Sequence, residues 1–150
     1  MKQSWLGILA VAVFQAPPCG AAGTQPQSPQ APERTYAQNY KDMVLATGVA
    51  NAYKSDNNAA MDAGSSVSAL RGRAYYDMEK RPDAVKVLVD AYLARDYHNP
   101  LAESEVKGVR FDLLKCLDLY HSKELDSLVE RRVANPKRMF IQDNPPAGQT

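Results

Sequence analysis

Between Tyr36 and Val133 the apolar residues recur with the period of a helix, and no β-branched run alternates apolar with polar. That pattern excludes most sheet architectures at the outset. Tyr36, Tyr40, Met43, Val44 and Thr47 fall at i, i+4, i+7, i+8 and i+11, one face of a helix from about Glu33 to Tyr53. Ala60, Ala63, Val67, Leu70 and Ala74 repeat the spacing behind Asp56, a residue suited to an N-cap. Val85, Leu88, Val89, Tyr92 and Leu93 form a third stripe, opened by Pro82 at a first-turn position. Leu113, Leu114, Leu117 and Tyr120 mark a fourth helix; Leu125, Leu128, Val129 and Val133 mark a fifth that stops near Asn135-Pro136. The expected fold class is all-α, a small helical bundle of about five main helices with one long inter-helix loop.

The ends do not share this pattern. Lys2, the nine-residue apolar run Leu6 to Phe14 and the small residues after it have the three-part form of a secretory signal, expected over residues 1–22. The run is shorter than the roughly 20 residues a bilayer requires. Cys19 is preceded by Ala16, Pro17 and Pro18, which lack the branched-apolar residue and small pair of a lipid-attachment site. Cleavage after Ala22 would remove Lys2 and Cys19, leaving equal numbers of basic and acidic residues and Cys116 alone. Pro26, Pro29 and Pro32 make residues 23–33 an extended Pro-rich linker. The helical domain is expected over 34–143 and a flexible tail over 144–150.

Two connections stand out. Gly72 to Lys80 holds Tyr75, Tyr76 and Met78 among charged residues and reads as a short helix or turn with aromatics near the surface. Tyr and Arg are common interface anchors, although both tyrosines would equally serve to cover the core. Tyr97 to Gly108 is long for a compact bundle and carries Leu101, Glu103 and Glu105; Asn99-Pro100 is read here as a bias away from helix. The Ala, Gly and Ser residues from Ala59 to Ala69 permit close approach of another helix.

Catalytic constellations fail on geometry. Cys116 and His121 point about 140° apart on one helix, so no Cys-His dyad forms without a break. His98 and His121 have no metal-ligand spacing, and Asp56-Asn57-Asn58 continues into Ala60 and Met61 where a calcium loop needs a ligand and Gly. There is no phosphate loop and no Ser nucleophile elbow. A net charge of +1 leaves no field for a polyanion; the cluster Arg131, Arg132, Lys137 and Arg138 suits a helix C-terminus. No enzyme activity, cofactor, metal or nucleic acid is expected, and no membrane once the signal is removed.

The run Phe111 to Asp126 closely resembles the signature of the periplasmic immunity proteins that neutralise type VI secretion amidase effectors of the fourth family. Asp42 to Thr47 and Asp62 to Ser66 resemble its earlier helices, in the same order. The resemblance implies a periplasmic homodimer that plugs the cleft of a cognate peptidoglycan amidase, a papain-like hydrolase cutting the γ-D-glutamyl to diaminopimelate bond. It implies an effector-binding loop over His98 to Lys107, with His98, Asn99, Leu101, Glu103, Ser104, Glu105 and Lys107 as candidate contacts. A short helix of the partner subunit, corresponding to Arg73 to Lys80, would hold the enzyme through Arg73, Tyr75, Tyr76, Asp77 and Glu79. In that family a Cys often follows Leu-Ala-Thr of the first long helix and is placed to pair with the later Cys. Here Leu45-Ala46-Thr47 is followed by Gly48, so Cys116 is expected as a reduced, buried thiol. A periplasmic adaptor or chaperone that binds clients through the tyrosine-bearing face is the alternative.

Overall fold

A computed structural model describes residues 28–79 and 83–146. The proposed signal, Lys80, Pro82 and the last four residues lie outside the described residues. Among those described, seven α-helices follow one another: α1 (Tyr36–Ala52), α2 (Asn57–Arg71), α3 (Ala84–Leu93), α4 (Pro100–Glu105), α5 (Asp112–Tyr120), α6 (Lys123–Arg132) and α7 (Phe140–Asp143). Five of them, α1, α2, α3, α5 and α6, run nine residues or longer. The described residues contain no strand, only two isolated bridges, Thr35 with Met139 and Tyr76 with Val133.

The central element is α1. Thr35 starts it with a capping box: its hydroxyl accepts from the Gln38 amide at 3.2 Å, and the Gln38 side chain accepts from the Thr35 amide at 2.9 Å. Tyr36, Tyr40, Met43 and Val44 are buried, as their spacing predicts, and α2, α3, α5 and α6 pack around them. Asp56 caps α2 by accepting from the amides of Asn58 and Ala59, both at 3.1 Å. Ala63 is buried and Val67 and Leu70 join the core, so the helix brought close by this small-residue segment is α1. The α3 stripe holds too, with Val89 and Tyr92 in the core.

Two expectations need correction. Of the short helix or turn read over Gly72 to Lys80, residues 73–79 take no helix, so the short helix that the resemblance implies is absent among the described residues. The Asp77 amide donates to the Arg132 carbonyl at 3.0 Å and the Tyr75 carbonyl accepts from the Ala134 amide at 2.9 Å, which takes the backbone groups a helix would use. Asn39, buried on α1, fastens this segment by donating to the Arg73 carbonyl at 3.0 Å and to the Ala31 carbonyl at 2.8 Å. The core face of α5 also differs from the expected one. Cys116 and Leu119 are buried with Lys115, whereas Leu113, Leu114 and Leu117 are 50%, 46% and 41% exposed. At about 100° per residue the two stripes point to opposite sides of one helix. Leu113, Leu114 and Leu117 therefore contribute a surface and not a core.

Candidate functional site

The connection between α3 and α5 is largely ordered by its own side chains. Asn99-Pro100 initiates a helix here and does not prevent one. Asn99 accepts from the amides of Leu101 and Ala102 at 3.1 and 3.4 Å, and Pro100 takes the first-turn position where its missing N–H costs nothing. The expected loop thus carries α4. Glu103 turns back to the same cap, with Oε1 at 2.8 Å from His98 Nδ1 and at 3.3 Å from the Asn99 amide that donates to it. Ser104 donates to the Leu101 carbonyl at 2.7 Å. His98, Asn99, Glu103 and Ser104 are consequently brought together as one braced turn. Leu101 is left 82% exposed on it, while Glu105 and Lys107 also face solvent.

Two left-handed residues return the chain to α5: Gly108 with φ of 76° and Phe111 with φ of 53°. Gly adopts this conformation freely, whereas Phe does so at a steric cost of about 1 kcal/mol that its neighbours must offset. Phe111 lines a hollow of about 360 Å³ with Tyr97, His98, Asn99 and Leu114. A second hollow of about 440 Å³ is lined by Tyr53, Val109, Phe111, Leu113, Leu114 and Leu117. Phe111 and Leu114 belong to both, so the exposed stripe of α5 runs into the braced turn as one surface. Tyr53, Phe111, Leu113, Leu114 and Leu117 were missed as site residues by sequence reasoning. The available signal was that α5 carries apolar residues around more of its circumference than one buried face requires.

The candidates Arg73, Tyr75, Tyr76, Asp77 and Glu79 occupy a different setting. The Tyr75 ring meets Tyr36 at 4.9 Å and the Tyr76 ring meets Tyr40 at 5.1 Å, both edge to face. Tyr75 nevertheless remains 51% exposed. The Arg73 guanidinium stacks 4.6 Å above the Phe140 ring, and Asp77 Oδ1 accepts from the Glu79 amide at 2.9 Å. These contacts run to α1, α6 and α7 and not to the braced turn. The segment covers the core with one side of its rings and offers the other side to solvent.

Cys116 is a free thiol, 1% exposed, and burial pushes its pKa up to about 11. A thiol in that state is a poor nucleophile at neutral pH. Among the described residues no cluster of three His, Cys, Asp or Glu side chains has the arrangement of a metal site, and no helix is long and apolar enough to cross a membrane.

Comparison with known proteins places the chain in a family. Residues 38–129 match the Tai4 family, described as type VI secretion system (T6SS) amidase immunity protein. A solved structure from Serratia marcescens, described among new type VI-secreted toxins and self-resistance proteins, is 30% identical with a TM-score of 0.69. The alignment covers 80% of this chain and 94% of that one. A second, from the Tae4/Tai4 effector–immunity system of Salmonella typhimurium, is 23% identical with a TM-score of 0.60, covering 71% of this chain and 97% of that one, and shares the fold. No curated protein matches the sequence. The match spans more than half of the chain and nearly all of its core helices, and the chain belongs to the Tai4 family of type VI secretion system amidase immunity proteins.

Proposed function

We propose that the protein binds and inhibits a type VI secreted peptidoglycan amidase by occluding its active-site cleft, and so protects the producing cell and its kin. It works in the periplasm after its signal is cleaved. The observation that carries the occlusion reading is Leu101, 82% exposed on a turn that Asn99, Glu103 and Ser104 brace with hydrogen bonds. An apolar side chain held out on a rigid protrusion is what enters a concave cleft at low entropic cost. Glu105 offers a carboxylate acceptor beside it, and the α5 stripe of Leu113, Leu114 and Leu117 widens the footprint. Inhibition needs no catalytic group on the inhibitor, only an interface of ordinary size with a few buried anchors.

The homodimer belongs to the same reading: the braced turn of one subunit enters the cleft while Tyr75 and Tyr76 of the other hold the enzyme. Titration of the purified protein against the amidase effector of the same bacterium, with peptidoglycan as substrate, tests it. Complete inhibition at one subunit per enzyme is expected. Saturable binding of many unrelated proteins without inhibition would favour instead an adaptor or chaperone that binds clients through the tyrosine-bearing face, where Tyr75 is 51% exposed.

A further inference from the structure

We propose that Lys115 is the positioning residue that preorganises the segment 94–111, locking both of its stems from beneath; the inference rests on the reading of that segment as the inhibitory element. Lys115 is 4% exposed on the buried face of α5, beside Cys116 and Leu119. A lysine is almost never buried this far unless its ammonium is fully engaged. Here Nζ donates to the Leu93 carbonyl at 3.2 Å and to Asp112 Oδ1 at 3.1 Å. Leu93 is the last residue of α3 and Asp112 the first of α5, so one ammonium ties together the two points where the segment leaves and rejoins the bundle.

The carbonyl of Leu93 belongs to the last turn of α3, which has no intrahelical donors, and Lys115 supplies one. The other oxygen of Asp112 meets Arg110 Nε at 3.3 Å, which draws in the C-terminal stem. On the N-terminal stem the Tyr97 ring lies 5.9 Å from Nζ, and its hydroxyl donates to Asp118 one turn further along α5. Leu93, Asp112 and the Tyr97 ring thus converge on one buried charge, and Arg110 is joined to it through Asp112. A methionine would fill the same space without desolvating an ion. What the charge adds is direction: it fixes where two chain segments sit, and a segment fixed before binding does not have to be ordered during it.

Lys115→Met keeps the apolar stem and removes the donors. In the free protein, hydrogen exchange of the amides in 97–108 should quicken at least tenfold while those of α1 and α6 exchange as in the parent. Inhibition of the same bacterium's amidase should weaken at least tenfold. Asp112→Asn, which spares the lysine, should move both readouts in the same direction and carries the test should Lys115→Met not fold. Unchanged exchange in 97–108, faster exchange that is uniform across the molecule, or faster loop exchange with full inhibition would each overturn the proposal. A parent protein that fails to inhibit defeats the proposed function instead, and the exchange measurement then decides the clamp on its own.

Discussion

Gly48 on α1 faces Cys116 on α5 so closely that a Cβ built at position 48 would lie 3.0 Å from the Cys116 Sγ and 3.7 Å from its Cβ. A disulfide places its two Cβ atoms about 3.8 Å apart, with each Cβ about 3 Å from the far sulfur. Both distances match. Gly48→Cys should therefore close a bond to Cys116 with little movement of either helix. It joins residues far apart in sequence, and the stabilisation should be about 2 to 4 kcal/mol relative to the reduced form. Thiol titration and melting with and without reductant check this. Two free thiols persisting under oxidising conditions would show that the helices do not sit as described.

Without that partner, Cys116 reports on burial. Its thiol is held up to about 11, chiefly by desolvation and secondarily by the Asp112 charge. A raised pKa means the folded state keeps its proton longer than the unfolded chain does. Cys116 therefore imposes no penalty below about pH 9 and an increasing one as pH climbs toward 11. Alkylation at pH 8 should be slow until denaturant is added, and Cys116→Ala should flatten the loss of stability between pH 9 and 11. Rapid labelling of the native protein at pH 8 contradicts the placement.

The opposite sign holds at the chain's other end. Arg138 and Tyr36 both donate to Asp143, the latter at 2.6 Å, and hold its carboxyl below the usual range. This stabilisation is present above the unfolded carboxyl value, about 3.9, and is lost as pH falls through the lower native one. Asp143→Asn should lower Tm at pH 7, whereas the difference from the parent should shrink as pH falls below the unfolded carboxyl value. A difference that stays the same as pH falls would mean that the charge plays no part.

The segments that sequence periodicity reads well are those with one apolar face, α1 and α3 foremost. Helix α5 shows why the rest was illegible. Leu113, Leu114 and Leu117 recur at core spacing, but so do Cys116 and Leu119 on the other side, and only packing decides which stripe is covered. The braced turn is illegible for a different reason: a residue before proline is biased away from helix, yet Asn at N-cap with Pro at N1 equally favours a helix start, and here the second preference wins. Mutation tests the assignment of faces. Leu119→Ala should cost about 3 kcal/mol, whereas Leu113→Gln and Leu117→Gln should each stay within about 0.5 kcal/mol. Comparable losses on both faces would restore the single-core reading.

The sharpest test of function falls on Leu101. Its side chain touches solvent over most of its surface, so Leu101→Asp should leave helical content and Tm nearly unchanged. If Leu101 enters the amidase cleft, the same change buries an unpaired carboxylate against the enzyme and should weaken inhibition by at least a hundredfold, about 2.7 kcal/mol. Leu101→Met, which keeps an apolar group of similar volume, should retain most of the inhibition. Replacing Leu101 to Val106 by a Gly/Ser segment of equal length should weaken inhibition at least tenfold by removing both the contact and the preformed turn. Tyr75→Ala serves as the counterpart on the other candidate surface. Should Leu101→Asp inhibit like the parent while Tyr75→Ala abolishes binding, the two surfaces exchange roles, and the cleft is closed by Arg73 to Glu79.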